Sequence, residues 1–237
     1  IIVHVLELDV SRSECTCQSY IRKSWTESAK AQSANYPFCT IDAQQGQISV
    51  PDERLNKLAE LVKPGRIVPA TCDIVDIAGL VKGASQGEGL GNQFLGNIRE
   101  TDAIIHVLRC FDNDNIVHVD GSVNPVRDKE IIDAELQLKD LETVENRIKR
   151  VEKQARVGGD KQAKLEFDVL SAYRDALLQG KSARTVTFET EDEIATAKGL
   201  FLLTTKPVLY VCNVDDTSAA NGNPYVEAVR EAIKDEE

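Results

Sequence analysis

Three short apolar runs punctuate the chain, at residues 72–78, 103–110 and 207–212, each rich in β-branched side chains and apolar on both alternating positions. Strands that read this way are buried between two helical layers, so the runs predict a parallel sheet in an α/β fold. Residues 47–50 add a short strand. After it, Asp52 can cap a helix whose Leu55, Leu58, Ala59 and Val62 fall on one face, with Pro64-Gly65 ending it. A helix over about 92–100 lies between the first two runs, completing a strand, loop, helix, strand unit. Residues 1–8 read as a further strand, whereas 11–25 follow neither period two nor 3.6.

The interval 129–179 has a different period. Ile131, Ala134, Leu138, Leu141, Val144, Ile148, Val151 and Ala155 step by three or four with charges between them, which predicts a long amphipathic helix. Gly158-Gly159 breaks it, Asp160 is placed as an N-cap, and Ala163, Phe167, Leu170, Tyr173 and Leu177 form a second stripe. Two such stripes joined by a short loop bury each other as an antiparallel helical hairpin. Their polar faces carry mixed charge, which argues against a membrane-surface role.

Composition narrows the class. The 237 residues carry 39 acidic and 28 basic side chains, a net charge of −11, and 42% are hydrophobic. That supplies one ordinary core and argues against a whole surface that binds nucleic acid by neutralising phosphates, although a local basic patch would survive the average; no sequence-specific DNA binding is expected. No run approaches the roughly 20 apolar residues of a membrane span, so a cytoplasmic protein is expected. The six cysteines, at 15, 17, 39, 72, 110 and 212, suit reduced thiols better than a disulfide scaffold, and Cys15-Thr16-Cys17 lacks the second pair that a zinc site needs.

The candidate chemistry clusters around strand ends. Asp76 closes a predicted buried strand, where α/β sheets bind ligands, and a carboxylate there can hold a magnesium ion through water. Gly79 lets a backbone N–H approach a terminal phosphate; the bland alternative is a strand-end Asp followed by a turn glycine. Four glycines between positions 83 and 91 suit a loop that changes conformation with the phosphate state. Two decoys fail on spacing: Gly89-Leu90-Gly91 has Phe94 where a dinucleotide fingerprint needs its third glycine, and Gly180-Lys181-Ser182 follows a helix, with Asp175 where a phosphate loop needs glycine. Asn213, after the third run, can read a base edge, with Val214 and Asp216 in its motif, or make an Asx turn. His106 reads as a hydrogen-bonded core residue, and His118 either orients water or makes a structural contact.

Together, Asn35-Tyr36-Pro37-Phe38-Cys39-Thr40, residues 76–81, the glycine-rich 83–92, residues 97–102, Arg109-Cys110-Phe111 and residues 116–119 closely resemble the YchF subfamily of Obg-related GTPases, the Obg-like ATPases, from about Ser33 onward. The resemblance implies a P-loop NTPase G domain, its mostly parallel sheet lying between helices, with an inserted helical coiled-coil hairpin. On that plan residues 34–119 and 198–237 form the G domain and 120–197 the insertion. It also implies a magnesium-dependent ATP or GTP hydrolase acting as a ribosome-associated switch in translation or stress. Thr40 falls on the metal-contacting threonine, Asp76 and Gly79 on the DxxG motif, and Asn213, Val214 and Asp216 on a variant base-reading motif that tolerates ATP. Leu80 stands where related enzymes place a water-orienting glutamine, and His118 matches the histidine considered for that role. Residues 1–33 depart from the family, since 1–32 contain no GxxxxGK[ST] phosphate loop, and the terminal TGS domain is expected to be missing. A non-catalytic binding module is therefore the alternative.

Overall fold

The computed structural model describes residues 2–7, 44–76, 91–113, 122–157, 160–234 and 236. Five strands form one sheet: β1 (Ile2–Glu7), β2 (Gln44–Ser49), β3 (Thr71–Asp76), β4 (Ala103–Arg109) and β5 (Val208–Asn213). Their order is β2-β3-β1-β4-β5; β2 runs antiparallel to β3 and the remaining pairs are parallel. The segment without a phosphate-loop motif thus supplies the central strand, with Val5 opposite both Asp76 and Ile105.

β4 shows why the sheet is two-sided. Ile104, His106 and Leu108 point to one face, and Ile105 and Val107 to the other, where they meet Ile74, Ile48 and Val211. All are buried or half-buried, as expected for a strand covered on both faces. The helices α1 (Glu53–Val62), α2 (Gly91–Arg99), α3 (Pro125–Val157), α4 (Lys161–Leu178), α5 (Glu191–Lys198) and α6 (Pro224–Ile233) complete the fold. Asp52 caps α1 by accepting from Arg54 N, and the helix stops at Lys63 in the left-handed conformation, one residue before Pro64. The predicted apolar face of α1 forms but is not buried: Leu58 and Val62 are exposed.

The helical hairpin is α3 against α4. Val144, Ile148 and Val151 bury against Val169, Leu170, Tyr173 and Leu177, joined by Ala183, Ala197 and Leu202. Tyr173 meets Phe188 edge to face at 5.3 Å. The first turns of α3 differ from the predicted stripe, because Leu138 is exposed while Ile132 and Leu136 are the buried residues. These two pack on Leu95, Ile98, Ile104 and Leu203, the core beside the sheet. A helix of 33 residues is about 50 Å long and serves two cores that lie on different sides of it. One continuous stripe cannot address both.

Asp140 joins the two cores. It is fully buried and accepts from Leu203 N (2.8 Å), Thr204 N (2.7 Å) and Thr204 Oγ1 (2.7 Å). Burial raises its carboxyl above the ordinary range, against the lowering effect of those three donors. Gly180, at φ +72°, ends α4, and Gly180 N and Lys181 N donate back to Leu177 O and Ala176 O. Gly180-Lys181-Ser182 is therefore a helix C-terminus with an exposed lysine, as its spacing predicts.

Candidate nucleotide-binding edge

The carboxyl ends of the parallel strands line one edge of the sheet. β3 ends there at Asp76, β4 at Arg109 and β5 at Asn213. Two strands separate Asp76 from Asn213, so they stand about 14 Å apart across the sheet. Asn213 is also four residues farther along, because Asp76 is level with Ile105 through Val5, whereas Arg109 is level with Asn213. Thr40, Gly79 and His118 lie outside the described residues, as do Cys15, Cys17 and Cys39.

The β5 end is the better defined. Asn213 O accepts from Cys110 N at 2.7 Å, which extends the β4–β5 pairing to the edge. The Asx turn expected near this strand end belongs to Asp215, whose carboxylate accepts from Ser218 N and Thr217 Oγ1, both at 2.8 Å. Those donors hold Asp215 below the usual carboxylate range. Asn213 and Asp216 are not consumed by the turn, and among the described residues neither side chain has a hydrogen-bond partner. Val214 packs with Cys110, Cys212 and Val229 below them. The Cys110 thiol hydrogen-bonds the Cys212 sulfur, which brings Cys212 down to about 7 and pushes Cys110 up.

Several residues that shape this edge went unnoticed in the sequence. Asn223 caps α6 by accepting from Val226 N, and its amide donates to Cys110 O at 2.6 Å. The Tyr225 hydroxyl donates to Asp112, and Arg109 reaches Phe111 O while its guanidinium lies 4.9 Å from the Phe111 ring centroid. Asn223-Pro224, a capping residue before proline at the first helical position, was the available signal for α6. The role of Tyr225 has no local signature, because its partner Asp112 is far away in the chain, whereas Arg109 contacts Phe111 two residues on.

A cavity of about 650 Å³ lies elsewhere. α6 starts at the strand-end edge and runs back, and the cavity sits by Ala232 and Glu236 at its far end, against Lys129, Asp133 and Arg184. There burial pulls the Lys129 ammonium down, but Asp133 and Glu236 outweigh it and hold Lys129 above its ordinary value. The lining's three cations, Lys129, Lys181 and Arg184, are matched by three carboxylates, Glu130, Asp133 and Glu236, so it carries no net charge. His106 is a core residue, as expected, but among the described residues its buried Nε2 has no hydrogen-bond partner, and its ring lies 5.7 Å from Tyr210.

A two-faced, mostly parallel sheet in this order, with polar strand ends on one edge and helices packed around it, defines a P-loop NTPase-type domain. A family model described as 50S ribosome-binding GTPase matches residues 18–154. The chain belongs to that family, in its YchF subfamily. It is 54% identical over 205 residues to the Bacillus subtilis protein named ribosome-binding ATPase YchF, covering 86% of this chain and 56% of the relative. The Escherichia coli O157:H7 protein of the same name is 53% identical over 203 residues, covering 86% of this chain and 55% of the relative. The Schizosaccharomyces pombe YchF GTPase structure aligns over 99% of this chain and 62% of its own, with a TM-score of 0.74 and 33% identity. The chain therefore spans about half the length of the curated relatives it matches.

Proposed function

We propose that this chain is the nucleotide-handling part of a ribosome-associated, magnesium-dependent nucleoside triphosphatase that accepts ATP or GTP. The observation that carries the reading is the Asn213 side chain at the carboxyl edge of β5, which has no hydrogen-bond partner among the described residues, with two strands between it and the strand of Asp76. A ligand with a base at one end and phosphates at the other suits that separation. In this reading Asn213 bonds the base edge, Val214 supports it, and Asp216 accepts weakly or not at all, which relaxes the choice between adenine and guanine. The Gly79 amide faces the terminal phosphate and His118 orients water, because Leu80 has no group that can.

Asp76 and Thr40 are hard oxygen donors, the chemistry that magnesium selects, and they would hold it beside the phosphates. Among the described residues there is no cluster of three His, Cys, Asp or Glu able to cage a metal. Bound there, magnesium supplies neutralisation of the charge that develops on the phosphoryl oxygens.

The second reading, a non-catalytic binding module, is favoured by one fact. β1 occupies the centre of the sheet, yet residues 8–32 that follow it contain no GxxxxGK[ST] loop to cradle phosphates. Calorimetric titration of the 237-residue chain with ATP and magnesium decides between the two. Saturable binding that Asn213→Ala weakens about tenfold, the value of one good hydrogen bond, supports the triphosphatase. No heat with either ATP or GTP assigns the chain to the binding module.

A further inference from the structure

A groove of about 350 Å³ opens where the helical hairpin meets α5. It exists because the chain leaves α4 through a single tight turn at Ala183–Thr185 and then runs without regular structure to Thr190, the capping residue of α5. Val186 and Phe188, at alternate positions of that stretch, both pack against the hairpin core, and Tyr173 of α4 meets Phe188 edge to face. Ile194 and Ala197, three apart on α5, line the groove as well.

The lining contains two cations, Arg184 and Lys198, and no carboxylate, in a chain whose net charge is −11. Arg184 reaches Glu236 in the neighbouring cavity at 3.4 Å, whereas Lys198 forms no ion pair among the described residues. The acidic Glu191, Asp192 and Glu193 stand at the other end of α5, roughly 8–10 Å from Lys198 along the helix axis. Tyr173 adds a hydrogen-bond donor. Only 4% of the residue is exposed, yet its hydroxyl has no hydrogen-bond partner among the described residues. Nor is that hydroxyl sealed in, because His106 Nε2 is the one side-chain polar atom among the described residues that is both buried and unpartnered. It therefore opens on the groove that Tyr173 lines. Burial first, and then the Asp140 carboxylate, raise the Tyr173 pKa, so the phenol stays a protonated donor at neutral pH.

We propose that this groove binds a small carboxylic acid with an aromatic or branched apolar body. The body lies against Val186, Phe188 and Ile194, and the carboxylate takes the Lys198 ammonium and the Tyr173 hydroxyl. A donor in so apolar a setting gains most from an acceptor that carries charge. The volume is near the lower limit of small-ligand pockets, which suits a body of about ten to fifteen heavy atoms rather than a nucleotide. Inorganic phosphate is the poorer match, because it would leave the apolar walls uncovered. The groove belongs to the hairpin and α5, apart from the strand ends, so the proposal does not rest on the triphosphatase reading.

Calorimetric titration of the full chain with phenylpropionate, beside the matching alcohol and amine, tests the proposal. The carboxylate is expected to bind saturably, the alcohol about tenfold more weakly, and the amine not measurably. Lys198→Glu is expected to weaken the carboxylate at least ~10-fold. Tyr173→Phe keeps the ring and its packing on Phe188 and is expected to weaken it about fivefold to tenfold, the value of one hydrogen bond. Lys57→Glu, the same charge change at an exposed position of α1, is expected to retain the parental affinity. Circular dichroism melting checks that each variant is folded. No saturation below about 10 mM would overturn the proposal. So would equal binding of carboxylate and alcohol, or parental affinity in either Lys198→Glu or Tyr173→Phe.

Discussion

His106 concentrates the chemistry of the β4 face in one side chain. It is buried under Tyr210 and near Lys129, and burial first, then the Lys129 charge, lowers its pKa to about 3. The ring is therefore neutral in the folded protein, with an Nε2 that has no hydrogen-bond partner among the described residues. The unfolded chain takes up a proton near pH 6.5 and the folded one near 3, so stability from this residue is present above 6.5 and lost as pH falls between those values. Between pH 7 and 5 the loss is expected to be about 2 kcal/mol in urea unfolding. His106→Leu removes both the proton site and the orphaned nitrogen, and should flatten that dependence without a large penalty at pH 7. An unchanged pH slope in the variant would contradict a buried neutral imidazole.

Among the elements, the long helix α3 explains most about how the molecule holds together. It reads as one amphipathic helix in sequence but packs as two, with Ile132 and Leu136 on the sheet side and Val144, Ile148 and Val151 on α4. Asp140 sits at the change of face, anchoring residues 203–204 through three hydrogen bonds. Removing it leaves two backbone N–H groups and a hydroxyl buried without an acceptor, at about 1–3 kcal/mol each before relaxation. Asp140→Ala is expected to destabilise the protein by about 3 kcal/mol or more, measured by chemical denaturation. A loss below 1 kcal/mol would mean that water or a neighbour replaces the carboxylate. α1 teaches the converse, since its cap and periodicity suffice to specify a helix although none of its residues is buried by the described structure.

For the whole molecule, α3 couples the hairpin to the sheet, so the two should not unfold separately. Leu170, fully buried in the hairpin core, is far in sequence from Cys110, buried beside β5. Leu170→Ala is expected to cost about 2–5 kcal/mol. The same shift should appear in far-UV circular dichroism and in thiol exposure of Cys110. Two separated transitions would show that the hairpin melts independently. The sheet order also places Asp76 and Asn213 on one edge, while the ion network of Lys129, Asp133, Arg184 and Glu236 lies away from that edge.

The apolar runs at 72–78, 103–110 and 207–212 were enough to place the strands found at 71–76, 103–109 and 208–213, the caps placed the helices beginning at Glu53 and Lys161, and the strand ends marked Asp76 and Asn213 as candidates. Each depends on local facts: β-branched runs, side-chain caps, and polar residues where a strand ends. Tertiary structure alone decided that residues 2–7 occupy the centre of the sheet, that α3 changes its buried face at Asp140, and that Asp215 rather than Asn213 closes the turn after β5. These outcomes are set by which partner each segment meets, and a partner dozens of residues away leaves no periodicity in the chain that meets it.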